Sequence, residues 1–116
     1  MIFKPGVDSE RLQPVILDAL PLIEEIRLAV LRDLTHRALV VTSGAEGLPA
    51  TGPHDPTSLH YRGLAVDIRT RDYIWALLAT LRRRLGPGWD VIDEGTHIHI
   101  ERDPKKRPLE VRDDTP

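Results

Sequence analysis

The segment His97-Ile98-His99-Ile100-Glu101 alternates titratable and apolar residues without a break. A period of two is the mark of a β-strand, whose successive side chains point to opposite faces. This strand must bury its isoleucines in a core and hold both histidines on the other face. Trp89 to Asp93 reads as a partner strand, and Glu94-Gly95 as the tight turn between the two. Leu64 to Arg69 follows the same rule. Leu64, Val66 and Ile68 take one side; Ala65, Asp67 and Arg69 take the other. Between these strands, residues 71–85 change to helical spacing. Ile74, Leu77, Leu78, Leu81 and Leu85 form one stripe, with Thr70 as N-cap and Gly86 as the stop before Pro87.

The first half of the chain adds one helix and one strand. From Leu12 to about Leu34 the apolar residues Ile16, Leu20, Ile23, Val30 and Leu34 fall near one helical face. Pro14 suits a first turn. Pro21 removes a backbone donor, which predicts a kink or break near residue 20. Ala38 to Thr42 is short, apolar and β-branched, as a buried strand requires. Residues 43–57 hold three glycines and three prolines and read as a long loop. Residues 1–11 read as an extended lead-in, and residues 102–116 as a charged, frayed tail. The order of elements implies an α+β fold, a small mainly antiparallel sheet flanked by two principal helices, in a single domain over residues 1–116.

Composition narrows the partners. A length of 116 residues suits one core, and with aromatics at 4% that core must be built from Leu, Ile and Val. A formal charge of −2 with mixed signs argues against a nucleic-acid surface. No apolar run is long enough to span a membrane, and the N-terminus lacks the apolar stretch of a signal peptide. Synthesis in the cytoplasm is expected. With no cysteine, any metal site must use histidine and carboxylate.

His97 and His99 share one face of their strand, with Cα atoms about 6–7 Å apart. That spacing suits a metal or catalytic role; the alternative is a solvated stripe of His97, His99 and Glu101. Asp67 interrupts an apolar strand, and a carboxylate there needs a partner. A metal would satisfy it, as would Arg62, Arg69 or backbone amides. Gly63 would allow a close backbone approach or a positive φ. His60 alone in a loop carries little, and His54 lies where it can face the site. His36 reads as a helix C-terminal histidine. Tyr61 and Trp89 read as packing residues. Two histidine nitrogens and one carboxylate suit Zn²⁺ and leave a fourth position for water.

The segment His54-Asp55-Pro56-Thr57-Ser58-Leu59-His60-Tyr61-Arg62-Gly63-Leu64-Ala65-Val66-Asp67-Ile68 resembles the S-x-H-x-x-G-x-A-x-D signature of zinc peptidases that cut bacterial cell-wall peptides. That group includes D-alanyl-D-alanine carboxypeptidases and L-alanyl-D-glutamate endolysins, and the hedgehog signalling domain shares its fold. Trp89-Asp90-Val91-Ile92 through His97-Ile98-His99 is similar to the closing strand pair with its H-x-H. Small phage-encoded peptidases look similar along most of the chain, including Val40-Val41-Thr42-Ser43-Gly44.

The resemblance implies one Zn²⁺ per chain, held by His60, Asp67 and one histidine of the H-x-H pair. The carboxypeptidase and hedgehog patterns put the metal on the second, His99, and leave His97 to stabilise an oxyanion. Other members use an acid-x-x-His pattern, in which Glu94 is the base and His97 the ligand. The carboxypeptidase acid, three before the zinc histidine, is Thr96 here, so Glu94 is the nearest acid for the proton of the attacking water. His54, Ser58 and Arg62 are the residues expected to meet substrate. Ala45-Glu46 stands where the family carries a carboxylate-binding arginine. The implied function is hydrolysis of peptidoglycan stem peptides, on the cell wall, after phage-type release or from a virion. The alternative is a catalytically weak or inactive hedgehog-like zinc module, serving as a phage structural or interaction protein.

Overall fold

The computed structural model describes residues 1–30, 39–70 and 74–106. The elements run β1 (Ile2–Phe3), α1 (Pro14–Val30), β2 (Val40–Ser43), a 3-10 turn (Leu59–Arg62), β3 (Ala65–Arg69), α2 (Ile74–Leu85), β4 (Trp89–Asp93) and β5 (His97–Arg102). The five strands form one sheet in the order β1-β2-β3-β5-β4. Among the described residues only β1 and β2 pair in parallel. The fold is therefore α+β with a mostly antiparallel sheet and two helices, as the alternating strands require.

The pleat sorts the strands into two faces. Val66, Ile68, Ile98 and Ile100 point into a core completed by Ile16, Leu20, Ile23 and Ile26 of α1 and Leu77, Leu78 and Leu81 of α2. Both helices cover this face because each presents one apolar stripe. Asp67 and His99 face the other way, directly opposite each other across β3 and β5. The hairpin turn lies where expected, with Gly95 at φ 91°.

Several boundaries differ from expectation. Helix α1 begins at Pro14 rather than Leu12, and Pro14 takes the first position, where its missing N–H costs nothing. The helix does not break at Pro21. That residue is exposed, so water can satisfy the carbonyl whose partner the ring removes. Leu34 and His36 lie outside the described residues, as do the residues that Thr70 would cap. Strand β2 is displaced to Val40–Ser43, and its register shifts between Val41 and Ser43. Val41 thus meets Ile68 in the core while Ser43 meets Asp67 on the site face. Such a bulge re-aims a side chain without ending the strand.

Neither end is loose over its described part. Arg102 belongs to β5, and its guanidinium donates to the carbonyls of Gly88 at 3.0 Å and Asp103 at 2.8 Å. The lead-in straps the site loops together. The Asp8 carbonyl accepts from Ala45 N–H at 3.0 Å, and Gln13 N–H donates to the Gly63 carbonyl at 2.9 Å.

Candidate metal centre

His60 is placed by a short turn that begins with a side-chain cap. The Ser58 hydroxyl accepts from His60 N–H at 3.2 Å, and Gly63 ends the turn in the left-handed region at φ 70°. His60 is 1% exposed. Its Nδ1 lies 2.7 Å from the Gly44 carbonyl. A carbonyl only accepts, so Nδ1 carries the hydrogen. That leaves Nε2 to face Asp67 Oδ1 at 3.3 Å.

The same oxygen meets a second histidine. His99 Nδ1 lies 2.9 Å from Asp67 Oδ1, and His99 Nε2 lies 2.6 Å from Glu101 Oε1. His97 stands further off, with Nε2 3.7 Å from Asp67 Oδ2. Asp67 is thus satisfied by histidines and not by Arg62 or Arg69. Arg62 is exposed and gives its carbonyl to Gln13. Arg69 sits opposite His97 in the β3–β5 ladder.

His54 comes to the site from the long loop. Its ring stacks on His60 at 3.9 Å between centroids and 7° between planes. Tyr61 clamps its backbone, accepting from His54 N–H at 2.7 Å and donating to the His54 carbonyl at 3.0 Å. Tyr61 therefore positions the loop, which agrees with a packing role. His54 Nε2 lies 2.9 Å from the Ser43 hydroxyl. That hydroxyl also bonds the Glu46 carboxylate, whose Oε1 accepts from the N–H groups of Gly44 at 2.8 Å and Asp8 at 3.1 Å. Burial opposes ionisation of Glu46, but these bonds prevail and hold its carboxyl below the usual range.

His54, His60 and Asp67 offer ligand atoms within 4.8 Å of one another, enough to hold a metal ion. His99 touches the same Asp67 oxygen, so two third ligands compete. Ring geometry favours His99. An imidazole nitrogen donates its lone pair in the ring plane, and parallel stacked rings cannot both aim at one ion. His54 would have to leave its stack to coordinate.

Glu94 is exposed at the β4–β5 turn, where its N–H donates to the His97 carbonyl at 3.0 Å. Thr96 Oγ1 lies 3.1 Å from His97 Nδ1. The sequence reading did not single out Ser43, the Gly44 carbonyl, Glu46 or Glu101 as parts of the site. Glu101 had a signal, since it continues the two-residue period of His97 and His99. A backbone carbonyl has none.

Electrostatics of the metal-free centre follow from this packing. Burial alone would raise the Asp67 carboxyl; hydrogen bonds and charge from His60 and His99 reverse that and hold it well below the carboxylate range. Burial pushes the His99 ring down, but its bonds to Asp67 and Glu101 outweigh this and raise it to about 9. His54 is lowered by burial and by His60. A raised folded-state value for His99 gives stability that is complete below its ordinary 6.5 and is lost as pH rises through about 9. Asp67 acts in the other direction, its contribution fading as pH falls below the ordinary carboxylate range. After allowance for partial solvent access, the His99 contribution is about 1–2 kcal/mol. Chelated protein is therefore expected to melt roughly 5–15 °C lower at pH 9.5 than at pH 6.5. Calorimetry across that window checks this, and a flat melting temperature would count against the ring pairing.

No family model, no curated protein and no solved structure matches this chain.

Proposed function

We propose that this chain is a zinc-dependent peptidase acting on peptidoglycan stem peptides, with His60, Asp67 and His99 as ligands. One observation carries the metal reading. His60 donates from Nδ1 to Gly44, so its Nε2 lone pair points at a buried carboxylate oxygen 3.3 Å away. Two acceptors so placed repel unless a cation lies between them. A divalent ion suits the place, because His99 Nδ1 converges on the same oxygen. Zinc bonds of about 2.0–2.1 Å at tetrahedral angles separate ligand atoms by about 3.3 Å. The 3.3 Å and 2.9 Å contacts need little adjustment to reach that spacing. Nitrogen and carboxylate donors without thiolate suit zinc. The peptidase reading and its cell-wall substrate rest on the resemblance of the two motifs, and the contacts of His60 and His99 with the same Asp67 oxygen support the choice of ligands.

When bound, zinc supplies a Lewis acid that polarises a carbonyl and lowers the pKa of water. His97 stands beside the ligand set and donates a hydrogen bond to the oxyanion that grows on the scissile carbonyl. Glu94, at the turn, takes the proton of the attacking water and returns it to the leaving amine. The loop of residues 44–57, fixed by Tyr61 and Glu46, brings His54 and the Gly44 carbonyl onto the His60 ring and would line the metal site. Access to the cell wall would come with phage-type release or from a virion. Among the described residues no helix is long and apolar enough to cross a membrane.

The purified protein is expected to hold one zinc per chain and to release new amino groups from peptidoglycan. Chelation should stop hydrolysis and added zinc should restore it. Zinc without hydrolysis would favour the second reading, a hedgehog-like binding module. Thr96 at the acid position and the exposure of Glu94 speak for that reading. Absence of zinc would overturn both.

A further inference from the structure

We propose that Glu101 is the positioning residue of the metal centre, fixing His99 so that Nδ1, and not Nε2, meets the ion. This rests on the metal-binding part of the preceding reading and not on its peptidase part. The two nitrogens of an imidazole lie on opposite flanks of the ring. Glu101 Oε1 takes one flank at 2.6 Å, and Asp67 Oδ1 takes the other at 2.9 Å. An ionised carboxylate only accepts, so His99 Nε2 carries a hydrogen and donates it. When a metal takes the place of the proton between His99 and Asp67, Nδ1 is the nitrogen whose lone pair is freed beside Asp67 Oδ1. The same bond sets the tilt of the ring. It also makes His99 a more basic ligand, since a carboxylate on the outer nitrogen pushes electron density through the ring.

The surroundings commit Glu101 to this task. Its cross-strand neighbour on β3 is Ala65, too short to compete for the space. Its neighbour on β4 is Asp90, which pairs with Lys106. Asp90, Asp103 and Glu101 bring carboxylate oxygens within 4.8 Å of one another. Each added negative charge makes Glu101 a stronger acceptor, and the His99 ring is the donor that answers it. The strand supplies the spacing. Residues two apart share a face, so the residue that follows His99 by two is the one that can reach its outer nitrogen. His97 has no such carboxylate; its Nδ1 meets the Thr96 hydroxyl, which can donate or accept and fixes no tautomer.

The test compares Glu101→Ala and Glu101→Gln with wild type in zinc competition against a chromophoric chelator. Glu101→Ala is expected to weaken zinc binding about 10–100-fold. Glu101→Gln keeps an accepting oxygen at the same reach and should recover most of that loss. Nitrogen NMR of the zinc-loaded proteins gives a second readout that a merely structural role would not move. Wild type and Glu101→Gln should show His99 protonated at Nε2 with a slowly exchanging hydrogen, which Glu101→Ala should lose. Unchanged zinc affinity in Glu101→Ala would overturn the proposal, as would protonation of His99 at Nδ1 in the zinc-loaded wild type. Zinc binding that depends on Glu101 in a protein without hydrolysis would sustain this inference and sink the peptidase reading. A wild-type chain that binds no zinc would overturn both. Far-ultraviolet circular dichroism on each variant separates unfolding from loss of the metal.

Discussion

His99→Ala is expected to abolish stoichiometric zinc binding, whereas His97→Ala should keep the metal and lose about 10²–10³-fold in turnover. The two residues share one strand and one face, so their spacing does not separate them. Distance and partners do. His99 is 9% exposed and its Nδ1 stands 2.9 Å from Asp67 Oδ1, whereas His97 is half-buried and approaches only the far oxygen, Oδ2, at 3.7 Å. A ligand must converge with His60 Nε2 on one point, and His60 Nε2 faces Oδ1. Removing His99 leaves His60 and Asp67, and His54 can replace it only by giving up its stack on His60, so zinc should not be retained tightly. Removing His97 takes away a hydrogen-bond donor at the rim, and binding should survive. Zinc titration of both variants, with hydrolysis measured alongside, checks the pair. The reverse pattern, with zinc lost from His97→Ala and kept by His99→Ala, would support the acid-x-x-His arrangement that uses Glu94 and His97.

What could be read from the sequence followed from side-chain period. The alternation in residues 64–69 and 97–101 placed Asp67 and His99 on one face and Leu64, Val66, Ile68, Ile98 and Ile100 on the other, because a strand has no other way to arrange them. The same alternation set Glu101 beside His99. The stripe of Leu77, Leu78 and Leu81 read correctly for the same reason, with the helical period in place of two. The misses have a different origin. A kink or break was expected near Pro21; the break is absent, because the effect of the ring depends on which side faces water, and that is decided by packing. The bulge that turns Ser43 toward Asp67 depends on a register between strands more than twenty residues apart. The Gly44 carbonyl, which fixes His60, is a backbone atom that every residue type would carry. The parallel pairing of Ile2–Phe3 with Val40–Val41 involves a strand too short to show a period.

The glycine after the 3-10 turn should prove the most costly small substitution in the described fold. Gly63→Ala is expected to destabilise the chain by about 2–4 kcal/mol, and the reason is twofold. Its φ of 70° is left-handed, which costs an L-residue about 1–2 kcal/mol. A Cβ there would also overlap the Arg11 carbonyl oxygen and stand 3.1 Å from Gln13 N. Those are backbone atoms and cannot swing aside like a side chain. The strap at Arg11 to Gln13 is held in place by Gln13 N–H on the Gly63 carbonyl at 2.9 Å and Gln13 Nε2 on the Arg62 carbonyl at 2.8 Å. Making room means breaking bonds worth about 1 kcal/mol each. Gly95→Ala isolates the first contribution. Its φ of 91° is also positive, but nothing lies within 4 Å of the added carbon. Gly95→Ala should therefore cost only the conformational part, about 1–2 kcal/mol. Urea denaturation of the two variants gives the difference directly. A larger loss at Gly63, joined by weaker zinc binding because His60 sits three residues upstream, would show that the lead-in holds the metal site in shape. Equal losses would mean that the strap yields, and that the left-handed turn alone requires glycine at Gly63.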